Sequence, residues 1–219
     1  IPVRAGSRRL PNKNILPFAD SNLLVHKINQ LKKVKKIDEI VVSSDSDVML
    51  EMALKENVKI HRRSIEYSDE VTKSFGEVVA LLAKQATQAE NVIWSPVVCP
   101  LCDEDCFTEA IDDYIDLVLN KNEYDSLISA KKFKQYLWDE KGPINYKLGL
   151  GHVPSQKLPD WKTIVNGYYI APREKMIEWI YFFGKKPYCK LITDTQAIDI
   201  DDKIDYDFCR FIWDKTHAK

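Results

Sequence analysis

The sequence predicts an α/β fold, a mostly parallel, mixed sheet with helices on both faces. Three observations predict it. Short β-branched apolar runs alternate with stretches of helical periodicity along most of the chain. Those runs end in polar residues, as buried parallel strands with functional tips do. Hydrophobic residues make up 45% and aromatics 11% of the 219 residues, enough for one sizeable core. No internal repeat or low-complexity segment breaks the alternation.

The elements follow in order. Ile1 and Pro2 read as the end of a first strand, so further residues are expected upstream. Residues 22–34 put Leu23, Leu24, Ile28 and Leu31 at helical spacing. "EIVVSSD" (39–45) reads as a buried strand, 47–56 as a helix and 58–61 as a strand. A helix over 74–86 starts at Ser74 as N-cap. "NVIWS" is the next strand, 104–119 an amphipathic helix, and "YDSLISAKK" the start of another strand. Residues 131–162 depart from the pattern, being rich in Lys, Gly, Pro and aromatics with short extended pieces. "TIVNGYYIA" (163–171) is a strong strand and 173–183 a helix. Cys189 falls in a strand. "QAIDIDDKIDYDFCRFIWDK" is a strand tip running into a C-terminal helix that holds Cys209. One domain over 1–219, with 131–162 as an excursion, is the organisation this predicts.

Charge excludes some functions. Thirty-two basic residues face 33 acidic ones, net −1, which argues against a nucleic-acid partner. No apolar run approaches the roughly 18 residues of a membrane helix, and no signal peptide is visible. Five cysteines at irregular spacing predict a reducing, cytoplasmic setting.

Positive charge matters where it clusters. "IPVRAGSRRLPNKN" opens the chain with Arg4, Arg8, Arg9 and Lys13 around Gly6-Ser7. A bending, N–H-rich, basic loop straight after a strand suits a polyphosphate. The alternative is a solvated basic loop. Neither GxxxxGK[ST] nor GxGxxG is present.

Near the other end, "DID" sets Asp199 and Asp201 two apart. On a strand both project to one side, about 7 Å apart by strand rise, where they can share a hard cation such as Mg²⁺ with phosphate oxygens. The alternative is that Asp201 and Asp202 begin the next helix, where acidic residues are favoured. Asp205 reads as a helix-terminus or supporting residue.

The opening stretch resembles the N-terminal signature of the CMP-sugar-acid synthetases (the acylneuraminate cytidylyltransferases), roughly I-P-A-R-x-x-S-x-x-x-P-x-K-N. Arg4, Ser7, Pro11, Lys13 and Asn14 fall on it, with Val3 in place of Ala. "VVSSDSDVMLEMALKENVKIHRR", Arg62 and Asp69 as R-x6-D, Pro100-Leu101, "NGYYI" from Asn166 and "AIDIDDKIDYDF" resemble further family segments, in order and at similar spacing. The resemblance implies a nucleotide-diphospho-sugar transferase (Rossmann-like) fold with an extended dimerisation arm, placed at 131–162. It implies transfer of CMP from CTP to a sugar acid with release of pyrophosphate, Mg²⁺ as cofactor, and a homodimer. By that likeness Arg4, Lys13, Asp199 and Asp201 carry catalysis, the two aspartates as metal ligands. Arg4, Ser7, Lys13, Asn14, Arg62 and Ser74 would hold the nucleotide, and Gln156 and Asn166 the acceptor.

Departures fall on the sugar side. Pro96 stands where sialic-acid-activating members carry Gln before the P-T-S-P-L turn, and Ser155 and Val165 replace two arginines. Losing a bidentate arginine clamp points to a different acceptor or a different clamp, with Lys157, Lys162 or Arg173 as candidates. A non-sugar acceptor such as a phosphonate, and a catalytically silent nucleotide-binding protein on this fold, are the competing readings. No His lies in a catalytic motif, and His61 beside Arg62 is the nearest to one. "CPLCDEDC" gives Cys99, Cys102 and Cys106 a C-x2-C-x3-C spacing without a nearby fourth ligand, so partly buried thiols are the expected outcome.

Overall fold

Strand and helix alternate along the chain, and the structure, a computed structural model, describes residues 1–69 and 71–217. A ribbon of β1 (Pro17–Phe18) and β2 (Ser21–Asn22) leads into α1 (Leu23–Lys32). Then come β3 (Val41–Ser44), α2 (Asp47–Lys55), β4 (Lys59–Arg62), α3 (Phe75–Gln85), β5 (Asn91–Trp94), α4 (Glu104–Tyr114) and β6 (Ser126–Phe133). A second ribbon, β7 (Trp138–Asp139) with β8 (Gly142–Pro143), precedes β9 (Trp161–Pro172), α5 (Arg173–Trp179), β10 (Pro187–Leu191) and α6 (Lys203–His217).

The larger sheet has the order β10-β6-β9-β5. β10 and β6 run parallel, and β9 is antiparallel to both of its neighbours. β3 and β4 pair in parallel. Pro2 joins them through a parallel bridge to Ser43, and the Val3 N–H donates to the Ser43 carbonyl at 3.0 Å. The sheet architecture is therefore mixed, as the sequence predicts.

Helix starts follow their cap residues. Asn22 caps α1 by accepting from the Val25 N–H at 3.0 Å, and Asp103 caps α4 through the Cys106 N–H at 3.0 Å. Ser74 and Glu77 form a reciprocal capping box on α3. The helix expected over 173–183 stops at Trp179, because Ile180 adopts a left-handed conformation (φ 54°). A branched side chain there carries a steric cost. Gly76 makes room for this turn, since a Cβ on it would lie 2.3 Å from the Ile180 carbonyl oxygen.

Two packing features position the site. Val3, Leu10, Val42, Ile200 and Tyr206 share one buried cluster, so the opening loop is fixed against the C-terminal segment by apolar contact. Fully burying such side chains contributes about 1.5–3 kcal/mol each. The buried face of α1 also carries polar groups. Lys27 Nζ donates to the carbonyls of Cys99 (3.1 Å) and Cys102 (3.2 Å), and Gln30 Nε2 donates to the Pro100 carbonyl at 2.8 Å. Together with His26, which also bonds to the Pro100 carbonyl at 3.0 Å, they hold the turn that follows β5 through its buried carbonyls.

The excursion is real but shorter than 131–162. β6 runs through Phe133 and pairs with β9 from Trp161, so residues 134–160 carry the departure. It exposes Trp138 (59%), Leu148 (63%) and Leu150, which is fully exposed. Among the described residues, no helix is long and apolar enough to cross a membrane.

Candidate functional site

The loop after Val3 is built by its own backbone needs. Gly6 sits at φ +70°, a conformation that favours glycine. The Ala5 N–H donates to Asp45 Oδ1 at 3.0 Å, and buried Asn14 donates from Nδ2 to the Arg4 carbonyl at 2.9 Å. Arg4 Nη1 donates to the Gly6 carbonyl at 3.0 Å, bracing the turn. Asn14 thus acts on the loop's shape, and Arg4, Ser7, Lys13 and Asn14 all line a cleft of about 860 Å³.

The two ends of the chain meet at Ile200. Its N–H donates to the Val98 carbonyl at 2.9 Å, and Lys13 Nζ donates to its carbonyl at 2.8 Å. Asp199 and Asp201 flank this doubly held peptide. They lie on an extended loop rather than on the expected strand, because no neighbour supplies a ladder there. Ile200 points into the core and both aspartates remain half-buried, so the alternation of sides survives without a sheet.

Asp201 Oδ1 lies 2.7 Å from Arg9 Nη2 and 3.6 Å from Lys13 Nζ. Asp199 Oδ2 accepts from Asn166 Nδ2 at 2.7 Å, and Asn166 Oδ1 accepts from the Tyr169 hydroxyl at 2.7 Å. Burial holds the Asp199 carboxyl above the usual carboxylate range; the Asn166 hydrogen bond opposes this, and the nearby Asp201 adds to it. Two adjacent carboxylates facing a basic loop are hard oxygen donors that fit Mg²⁺. A set of only two leaves the remaining positions to phosphate and water, and among the described residues no larger His/Cys/Asp/Glu cluster is present.

Several expected site residues are not where the sequence put them. Arg62 is exposed and pairs with Asp47 at the start of α2, away from the cleft. Its neighbour Arg63 is the one that turns in: it is 5% exposed, donates to Ser68 Oγ (2.8 Å) and the Val3 carbonyl (2.7 Å), and lines the cleft. Successive residues of an extended chain face opposite ways, so adjacent arginines are easily exchanged in reading. Gln156 is exposed on a 3-10 turn of the excursion and does not line the cleft. Lys157 and Lys162 lie on the same segment or its edge, and Arg173 packs against the carbonyl of Ala83, so none of the three lines the cleft. His61 is bonded to Ser43 Oγ and stays outside it too. Ser74, Asn166 and Pro96 do line it, as expected.

Of Trp161, Tyr168 and Tyr169, the aromatics the sequence offers as pocket-lining or as alternating strand residues, only Tyr169 lines the cleft, and the rest of an aromatic wall was missed. Phe75, Trp94, Tyr169 and Phe182 line the cleft opposite the basic loop. Tyr169 and Phe182 have ring centroids 3.9 Å apart, and Phe75 and Phe182 5.2 Å. They come from α3, β5, β9 and the segment after α5, and besides Tyr169 the run "YFFG" (181–184) is the signal that could have found them.

The comparisons with known proteins bear on the family and the fold. A profile of the family described as cytidylyltransferase matches residues 1–137. The pseudaminic acid cytidylyltransferase of Campylobacter jejuni is 26% identical over 237 aligned positions, covering 99% of this chain and 96% of its own length. N-acylneuraminate cytidylyltransferase A of Danio rerio is also 26% identical, over 94% of this chain and 48% of its own length. Among solved structures, a CMP:2-keto-3-deoxy-manno-octonic acid synthetase complexed with CTP has a TM-score of 0.71 at 13% identity, covering 98% of this chain and 97% of its own. A 4-diphosphocytidyl-2C-methyl-D-erythritol synthase from Anaerococcus prevotii has a TM-score of 0.67 at 15% identity, over 97% and 96% of the two chains. At such identity the structures establish a shared fold.

Proposed function

The chain belongs to the cytidylyltransferase family, whose profile spans more than half of it, and we propose that it transfers CMP from CTP to a nonulosonic acid of the pseudaminic or sialic acid type, releasing pyrophosphate. The observation that carries this reading is the contact between chain ends: Lys13, in the basic loop, donates to Ile200 between Asp199 and Asp201. Arg4, Ser7, Lys13 and Asp201 line one cleft, and Asp199 is tied to that cleft through its bond to Asn166. The names of the Campylobacter jejuni and Danio rerio relatives support the acceptor class.

Each group has a task in this reaction. Arg4, Ser7 and Lys13 hold the triphosphate and take up charge on the departing pyrophosphate. Arg63, rather than Arg62, supplies the further cation on the nucleotide side. Asp199 and Asp201 would hold Mg²⁺, which neutralises charge building on the α-phosphate oxygens. Asn166 aims Asp199, and Tyr169 aims Asn166. The acceptor lies along the aromatic wall, its hydroxyl presented to the α-phosphorus. The cleft lining includes no histidine among the described residues, so the hydroxyl proton passes to a carboxylate or phosphate oxygen. The exposed apolar residues of 134–160 support a homodimer formed through that excursion, and five free thiols support a cytoplasmic location.

The test is product identity. The chain is incubated with CTP, Mg²⁺ and a panel of pseudaminic, legionaminic and sialic acids and a phosphonate, and products are read by mass spectrometry. A CMP-nonulosonate is the expected product. A CMP conjugate of the phosphonate alone, or no conjugate at all, overturns the reading.

A further inference from the structure

Beneath the site lies a cluster of nucleophilic groups that the proposed transfer does not use. The Sγ atoms of Cys102 and Cys106 are 3.0 Å apart, roughly 1 Å beyond bonding distance for a disulfide. Cys102 stands just before the N-cap of α4, and Cys106 lies in the helix's first turn with its N–H bonded to Asp103. A helix N-terminus favours a thiolate.

The second observation is Lys27. Its side chain is fully buried, and among the described residues no carboxylate lies within ion-pairing distance of its ammonium. It is held by the carbonyls of Cys99 and Cys102 and lies 4.9 Å from the Phe107 ring centroid. A buried cation without a paired anion is costly, and the titratable groups around it are the thiols of this turn, with the Asp103 carboxylate farther off. Burial lowers the affinity of Lys27 for its proton, and the sulfurs of Cys102, Cys99 and Cys106 act the other way.

We propose that Cys102 and Cys106 form a reversible dithiol–disulfide site, with Lys27 as the buried cation that supports the attacking thiolate and hydrogen peroxide as the oxidant. Cys106 attacks. The Cys102 thiol donates to its sulfur, which lowers its hold on the proton, and the Tyr168 hydroxyl lies 3.8 Å away. The Cys106 thiolate breaks the peroxide O–O bond, becoming a sulfenic acid as hydroxide leaves and takes up the former thiol proton. Cys102 then attacks the oxidised sulfur. The S–S bond forms, the S–O bond breaks, and the hydroxyl leaves with the Cys102 proton as water. Two electrons pass from the sulfurs to the peroxide, which ends as two waters.

The pair sits under the nucleotide cleft. A Cβ on Gly167, next to Asn166, would lie 3.7 Å from Cys102 Sγ. The same turn carries the Val98 carbonyl that holds Ile200. The cysteine pair thus lies beside backbone that supports both Asn166 and the aspartate pair.

The test counts thiols and is independent of the cytidylyltransferase reading. The chain is treated with a slight excess of hydrogen peroxide, and thiols are titrated after denaturation. Two of the five free thiols should be lost and restored by dithiothreitol, with peptide mapping linking Cys102 to Cys106. Cys209→Ala should behave like the parent. Cys102→Ala should form no disulfide but yield a dimedone adduct on Cys106. Lys27→Met should slow oxidation about tenfold, the effect of a tenfold smaller thiolate fraction. Five surviving thiols, a linkage at Cys189 or Cys209, or a Cys102→Ala variant that still loses two thiols overturns the proposal. An unchanged rate in a folded Lys27→Met chain overturns the part assigned to Lys27.

Discussion

Asn166 and Asp199 lie on segments 33 residues apart in sequence, and the Asn166 amide donates to the Asp199 carboxylate at 2.7 Å. Because Tyr169 in turn holds Asn166 at 2.7 Å, the amide has one orientation available, with its N–H₂ toward Asp199. Partners that orient a metal-binding carboxylate change metal affinity or activity by about 10- to 100-fold when removed. Asn166→Ala should therefore raise the Mg²⁺ concentration needed for half-maximal turnover, or lower turnover, by that factor, with Tyr169→Phe giving a smaller effect in the same direction. A metal dependence identical to the parent's in both variants would show that Asp199 needs no orienting partner.

Arg62 and Arg63 should separate cleanly. Arg63 lines the cleft and Arg62 pairs with Asp47 outside it. Calorimetry with CTP should find Arg63→Lys weaker by about tenfold, or 1.4 kcal/mol, since an ammonium does not reproduce the guanidinium's several directed donors. Arg62→Ala should bind within about twofold of the parent. The reverse ranking would return the nucleotide-side role to Arg62.

The opening loop, the carboxylate pair and the strand–helix order were legible in the sequence because short-range chemistry sets them. Gly6 sets the bend, the β-branched runs set the strands, and Asp199 and Asp201 keep their alternation about buried Ile200 even without a strand. What was not legible depended on contacts distant in sequence. Arg62 and Arg63 differ only in which way one residue faces. The helix after β9 ends at Ile180, a residue that no local rule marks as a stop. Gln156 sits on a segment whose position is not set by periodicity. The aromatic wall draws on four separate segments, so no single stretch announces it.

Gly76 offers a test of the turn at Ile180. Replacing a helical glycine with alanine ordinarily stabilises by up to about 1 kcal/mol. Here the added Cβ would meet the Ile180 carbonyl oxygen at 2.3 Å. Gly76→Ala should therefore destabilise, by about 1–3 kcal/mol as in other overpacked sites, read as a lower urea midpoint at unchanged slope. A raised midpoint would mean that α3 and the Ile180 turn do not approach this closely.

His26 should give the fold an acid limit. It is 8% exposed, and burial lowers its pKa from 6.5 to about 4, against the bond to the Pro100 carbonyl. A histidine lowered on folding contributes stability that is complete above the unfolded value and is lost as pH falls toward the folded one. Between pH 6.5 and 4 the loss amounts to about 3 kcal/mol. Urea unfolding across that range should show it, and His26→Gln should be less pH-dependent than the parent. Equal pH dependence in the two chains would place the acid sensitivity elsewhere.

The most direct measurement is Mg²⁺-dependent pyrophosphate release from CTP and a nonulosonic acid, compared between the parent chain and Asp201→Ala. The parent should release pyrophosphate only when acceptor and metal are both present. Asp201→Ala should lose at least about 10²-fold in rate while keeping the parent's urea midpoint. Release by Asp201→Ala at the parent's rate, or none from the parent with any acceptor, would contradict a transfer site built from the opening loop and the Asp199–Asp201 pair.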